Sequence, residues 1–236
     1  METVLVVGAT GNIGVSVIRG ALNSGRNVLA IVRSQASADK LVRYIGSAEG
    51  ITFVEANVAA DDGVQDVVDK VRAGQLPAFQ HVYSCVGGEY ITTLLPEITT
   101  ERLHSNMNLQ FEAAFFAYRA TIPYLLSQPN AATWTVCTGS QGDIGTHALP
   151  AMTQGALFSF ATAAARETAE TNVRFNEVYL AFRVLYDDVA VAQGVTKASD
   201  FVPVYEAILA REEIRSARVW VETVEDIKAI RFTCKF

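Results

Sequence analysis

A doubly wound α/β fold with a mostly parallel sheet of about seven strands, in a single domain, is predicted by three observations. Short β-branched runs alternate with longer amphipathic stretches along the whole chain. A glycine-rich turn stands directly between the first run and the first amphipathic stretch. The 236 residues, 50% of them hydrophobic, suffice for one sizeable core and fall short of two comfortable ones.

The elements follow in order. Residues 3–7 (Thr-Val-Leu-Val-Val) read as a buried strand, followed by the turn and a helix to about Asn23. Strands are expected at 27–32 and 51–55, each followed by a helix, at 38–44 and 64–72. A fourth strand spans 81–85, and a long helix, with an interruption, runs from about Thr100 to Leu126. A strand at 133–138 precedes an alanine-rich helix at 152–168, and a sixth strand covers 173–180. A helix at 202–211 and a final strand at 218–222 complete the pattern. Right-handed crossovers then wind the sheet on both faces. The one long irregular stretch, 182–200, is expected to be a substrate lid.

Composition narrows the partners. A formal net charge of -6 argues against nucleic acid. No apolar run reaches the roughly 18 residues of a membrane span. The start enters a strand pattern at once, so no signal peptide is expected. Cys85, Cys137 and Cys234 are odd in number and show neither a disulfide framework nor metal-ligand spacing. Buried free thiols in a reducing, cytoplasmic setting and a small-molecule substrate are the expectation.

The turn reads Gly8-Ala9-Thr10-Gly11-Asn12-Ile13-Gly14. Gly8 allows a tight turn, Gly11 lets backbone N–H groups approach a pyrophosphate, and Gly14 lets the helix close on the sheet. The helix N-terminus then faces the phosphate charge. After the first strand of an alternating chain, this Rossmann-type pattern predicts a dinucleotide. The second strand ends in Arg33-Ser34 with no carboxylate. Arg33 can pair with a 2′-phosphate and Ser34 can donate to it, so NADP(H) is preferred, unless Arg33 is only a solvated strand-end charge.

With these residues in view, the chain resembles the short-chain dehydrogenase/reductase family over nearly its whole length. Its GxxGxxG turn is similar to the extended and atypical branches, including NmrA-like proteins, and its size to the compact branch. Asn57-Val58 stands where the family often places Asp-Val against the adenine, and Val86-Gly87-Gly88 follows strand four where the family has Asn-Asn-Ala-Gly. The resemblance implies an active-site Asn at Asn108 and a catalytic Ser at Ser140. It also breaks. The segment from Pro150 aligns with the family's YxxxK stretch and puts Pro150 at the Tyr position and Gln154 at the Lys position. Proline has no exchangeable proton, and glutamine is neutral although it can bond a ribose hydroxyl. General acid–base help worth about 10²–10⁴ in rate is thereby lost.

Substitute groups lie nearby. Asp143 and His147 sit between Ser140 and Pro150, and Tyr90 follows Gly88; Tyr179 and Arg183 border the end of strand six. Each has a plain alternative: a turn for Asp143 with Gly142 and Gly145, an exposed loop for His147, packing for Tyr179, a surface ion partner for Arg183. Three functions stay open: a non-standard NADPH reductase acting on an iminium or similar electrophile in natural-product tailoring, a non-redox isomerase, cyclase or dehydratase, and a non-catalytic NADP-binding sensor. The helix at 152–168, apolar nearly all round, predicts a homodimer or homotetramer, or simply a well-covered helix.

Overall fold

The computed structural model describes residues 1–88 and 90–236. Its strands are β1 (Thr3–Val7), β2 (Asn27–Val32), β3 (Ile51–Glu55), β4 (His81–Ser84), β5 (Ala132–Gly139), β6 (Val173–Leu180), β7 (Val184–Leu185), β8 (Thr196–Lys197), β9 (Ala217–Val221) and β10 (Arg231–Cys234). The helices are α1 (Asn12–Asn23), α2 (Gln35–Ile45), α3 (Gly63–Arg72), α4 (Thr100–Asn106), α5 (Ala113–Leu126), the single turn α6 (Gln141–Ile144), α7 (Ala148–Thr168), α8 (Asp187–Gln193) and α9 (Val202–Ala210).

Eight strands form the main sheet in the order β10-β9-β6-β5-β4-β1-β2-β3, all parallel except the antiparallel β10. The five valine and leucine-rich residues of β1 are buried throughout, as a central strand covered on both faces requires. One core, around Trp134 and Phe175, lies between the sheet and α3, α5 and α7. The other, around Tyr83, Phe201 and Tyr205, lies under α1, α2 and α9. Winding reverses between β1 and β4, so the crevice at the carboxyl ends of those strands is the ligand-binding position of such sheets.

Three expectations need correction. Strand 217–221 is not the last: β10 follows it and covers the sheet edge, so eight strands replace about seven. The supposed irregular lid at 182–200 is folded. Its two-residue strands β7 and β8 pair with each other, α8 lies between them, and Ala190 and Ala198 are fully buried. The lid is also fastened to α1: Ser16 Oγ donates to the Ala198 carbonyl at 2.7 Å, and Arg19 pairs with Asp187 at 3.1 Å. Finally, α7 starts at Ala148 rather than at residue 152. Pro150 occupies its third position, where the unbonded N–H groups of a first turn make proline harmless.

Among the described residues, no helix is long and apolar enough to cross a membrane. No group of three or more His, Cys, Asp or Glu side chains there could hold a metal ion.

Candidate active site

The glycine turn is built by exclusion. Gly8 has a φ of +92°, a conformation L side chains rarely adopt. A Cβ there would stand 2.8 Å from the Cys85 carbonyl carbon and oxygen. At Gly14 a Cβ would meet the carbonyl oxygens of Gly8 and Ala9 at 2.3 and 2.6 Å, so only glycine lets α1 start against the turn. Gly11 N–H closes the turn on the Gly8 carbonyl at 3.0 Å. As the N-cap of α1, Gly11 offers no side chain to the first helical N–H groups. The N-terminus of α1 therefore presents donors and the positive end of its dipole to the crevice.

Neighbouring residues frame this turn. The Asn12 side chain accepts from the Tyr186 N–H at 3.0 Å, and the Tyr186 hydroxyl donates to the Thr10 carbonyl. Ile13 is half-buried against the core below. Arg33 is exposed at the end of β2. Ser34 has a structural role as well: its Oγ accepts from Ser37 N–H at 3.4 Å as the N-cap of α2, which starts at Gln35 rather than Ala38. Asn57 turns the chain after β3, its Oδ1 accepting from Ala59 N–H at 3.1 Å. Val58 and Val86 pack against the core. Gly87 and Gly88 follow β4, and the space beside Gly88 is taken by the Gln110 side chain, whose Nε2 would lie 2.5 Å from an added Cβ.

Ser140 lies at the carboxyl end of β5 and caps α6, where its carbonyl accepts from the N–H groups of Asp143 and Ile144, each at 3.0 Å. Gln154 projects from α7 onto the same strand end, its Oε1 accepting from the Gly139 N–H at 2.7 Å. Pro150 is buried one turn earlier. Over its whole length α7 contains no tyrosine and no lysine.

Asn108 lies in an irregular part of the long helix. Between α4 and α5 the helix widens into a π turn over Met107–Glu112. There the Asn108 amide donates to the Ala59 carbonyl at 3.1 Å and to Glu112 at 2.9 Å. The inward polar positions belong to Asn106 and Gln110, which sequence reasoning missed. Thr153 on α7 donates to Gln110 Oε1 at 3.0 Å, Gln110 donates to Asn106 Oδ1 at 3.1 Å, and Asn106 donates to the Arg102 carbonyl at 2.9 Å. The three side chains are buried and bonded in one direction, which holds α4 against α7 without a charge. Two amides four residues apart in an otherwise apolar stretch were the available signal.

The remaining candidates gather at the α6–α7 junction. His147 is the N-cap of α7; its N–H donates to Gln141 Oε1 at 2.9 Å, and its Nδ1 lies 3.1 Å from Thr146 Oγ1. The Tyr90 ring rests on the His147 ring with centroids 4.5 Å apart. Partial desolvation raises the Tyr90 pKa, so the phenol is a neutral donor at physiological pH. Asp143, although exposed, has its carboxylate near the Tyr179 phenol. Burial first and this carboxylate second push Tyr179 up to about 12. Tyr179 itself is packed between Phe158 and Trp220. Arg183 is exposed.

Comparisons with known proteins agree with this architecture. A protein of Pestalotiopsis fici described as the short-chain dehydrogenase/reductase iacG is 54% identical over 239 residues, spanning 99% of this chain and 96% of that protein. Among solved structures, ElxO with NADP bound superposes with a TM-score of 0.78 at 17% identity, covering 91% of this chain and 93% of that one. A short-chain dehydrogenase/reductase of Brucella melitensis, related to glucose/ribitol dehydrogenase, gives 0.78 at 17% identity over 94% and 96%. The family model for short chain dehydrogenases matches residues 2–183. The chain therefore belongs to the short-chain dehydrogenase/reductase family of oxidoreductase-type enzymes.

Proposed function

We propose that this protein is an NADPH-dependent reductase that transfers hydride to an already activated C=X group of a small organic molecule, without the tyrosine–lysine pair of its family. The observation that carries the reading is an intact glycine cradle beside an α7 that offers Pro150 and Gln154.

The cradle fits a dinucleotide. Gly8 and Gly14 close the turn so tightly on backbone that no side chain can stand there, and the uncapped N–H groups of α1 suit a diphosphate. Arg33, with no carboxylate beside it, suits a 2′-phosphate. When bound, NADPH supplies a hydride. The chain's own residues do the rest: Ser140 Oγ and the Gln154 amide donate hydrogen bonds that orient a substrate, while buried Pro150 withholds a proton. An iminium carbon is the plainest acceptor. It gains the hydride's electron pair and becomes a neutral amine, so no proton has to move. A simple ketone, by contrast, leaves an alkoxide that needs an acid.

The test is NADPH consumption, followed by absorbance, with a preformed cyclic iminium and with a simple cyclic ketone. The iminium is reduced and the ketone is not; brisk ketone turnover would overturn the proposal. A non-redox isomerase or dehydratase is favoured only by the Tyr90–His147 contact, and it would change substrate with no loss of NADPH. We also infer a homodimer through α5 and α7, because Phe115 and Met152 remain 39% and 38% exposed on those helices. Sedimentation velocity reads it directly, and a monomer would refute it.

A further inference from the structure

We propose that residues 90–95, together with Ile144, form the substrate-binding rim of the cleft, and that the rim takes a lipophilic small molecule bearing a single polarised group. The inference rests on the reductase reading for the position of the reacting atoms.

Four large apolar side chains crowd into these six residues and stay in water: Tyr90 at 61%, Ile91 at 52%, Leu94 at 63% and Leu95 at 67% exposure. Ile144, at the end of α6, is 58% exposed. Single exposed apolar residues need no explanation, but a contiguous group marks a binding surface. Its place defines the ligand. Residues 90–95 follow the carboxyl end of β4, which pairs with the β1 strand that ends in the glycine turn. Ile144 follows the carboxyl end of β5, four residues after Ser140. The tilted contact of the Tyr90 and His147 rings, with centroids 4.5 Å apart, joins the two segments.

The segment expected to cover the substrate is fastened near both ends. Val184, Ala198 and Phe201 are buried in the core around α1 and α9, and Phe182 and Tyr186 are partly buried against it. Tyr186 is further stacked on Tyr44 at 3.8 Å. The exposed apolar side chains near the strand ends are concentrated on the β4 side. The polar groups gather on the β5 side: the Gln141 amide, the exposed Asp143 and Thr146, and His147, against which Tyr90 packs. Such a rim matches a ligand that is apolar over most of its length and polar at one end. A small molecule is favoured over a second copy of the chain because the patch lies beyond the strand ends, apart from the exposed α5 and α7 residues.

The experiment uses Nile red, an uncharged lipophilic probe, with the full-length protein saturated with NADP⁺. The wild type binds the probe saturably, one per chain. A Leu94→Ser, Leu95→Ser, Ile144→Ser variant binds it at least tenfold more weakly, with unchanged melting temperature and unchanged NADP⁺ affinity, because none of the three side chains is in a core. Equal probe affinity in the two proteins would overturn the proposal. So would loss of self-association in the variant, which would make the rim a contact between copies. Failure of the reductase reading shows separately, as no NADPH consumption on the iminium by a wild type that still takes up Nile red.

Discussion

Replacing Gly14 by alanine tests the cradle by adding one methyl group. The new Cβ would stand 2.3 Å from the Gly8 carbonyl oxygen, 2.6 Å from the Ala9 oxygen and 2.7 Å from the Ala9 carbonyl carbon. Comfortable carbon contacts begin near about 3.5 Å, so turn and helix must separate by roughly 1 Å. The obstructing atoms are backbone, and the turn is held by the 3.0 Å bond from Gly11 to Gly8. The upper part of the overpacking range, about 3 kcal/mol, therefore applies. Alanine's better helix propensity returns about 1 kcal/mol. The net loss of about 2 kcal/mol lowers the melting temperature by about 4–8 °C in a chain of this size. Because the separation withdraws the α1 N-terminus from the diphosphate, NADPH affinity falls about tenfold or more, or at least about 1.4 kcal/mol. Gly155→Ala is the control: its added Cβ meets nothing within 4 Å, so stability holds or rises and affinity is unchanged. Thermal melts and a fluorescence titration read both quantities. A Gly14→Ala protein as stable as the wild type, with equal NADPH affinity, would refute the reasoning.

Other perturbations have defined outcomes. Arg33→Ala removes a charge-assisted bond to the 2′-phosphate worth about 1.5–3 kcal/mol, weakening NADP⁺ by roughly 10–150-fold and leaving NAD⁺ unchanged in parallel calorimetric titrations. Glu177→Ala strips the buried carboxylate that Arg218, Lys235 and Thr138 share, and costs about 3–5 kcal/mol; an unaltered urea midpoint would contradict that role. Burial holds the His81 imidazole neutral, with its pKa below the ordinary 6.5, between Thr133 Oγ1 at 3.0 Å and Glu2 at 3.1 Å. The unfolded ring takes its proton near 6.5 and the folded one only at lower pH. The stability of the neutral ring is thus fully present above that value and declines as pH falls toward the folded pKa. Urea midpoints taken between about pH 7.5 and about pH 5.5 should fall in the wild type and fall less in His81→Gln; parallel declines would refute the assignment.

Much of the frame was legible because buried parallel strands leave a dense β-branched signature: β1, β2, β3 and β6 have the bounds their residues suggest. Features set by hydrogen-bond register or tertiary contact were not. The π turn at Met107–Glu112 changes which residues face inward without any change in composition, so Asn106 and Gln110 were overlooked. Strand β10 is four residues long, half-wet and follows a short turn, too brief for a periodic signal; its place is fixed by pairing with β9. Helix α7 starts four residues earlier than expected, with Pro150 tolerated in its first turn. Ser34 read as a phosphate donor, and its cap on α2 was not foreseen. In the lid, two-residue strands and a seven-residue helix are too short to register, and contacts with α1 give them their form. The glycine turn was legible in full, since steric exclusion at Gly8 and Gly14 depends on identity and local position alone.

The most direct measurement is a calorimetric titration of the wild-type chain with NADPH and, separately, with NADH. One site per chain is expected, with NADPH bound at least tenfold more tightly through Arg33, equivalent to about 1.4 kcal/mol. Absence of binding heat with both nucleotides, at concentrations that saturate ordinary dehydrogenases, would contradict the account.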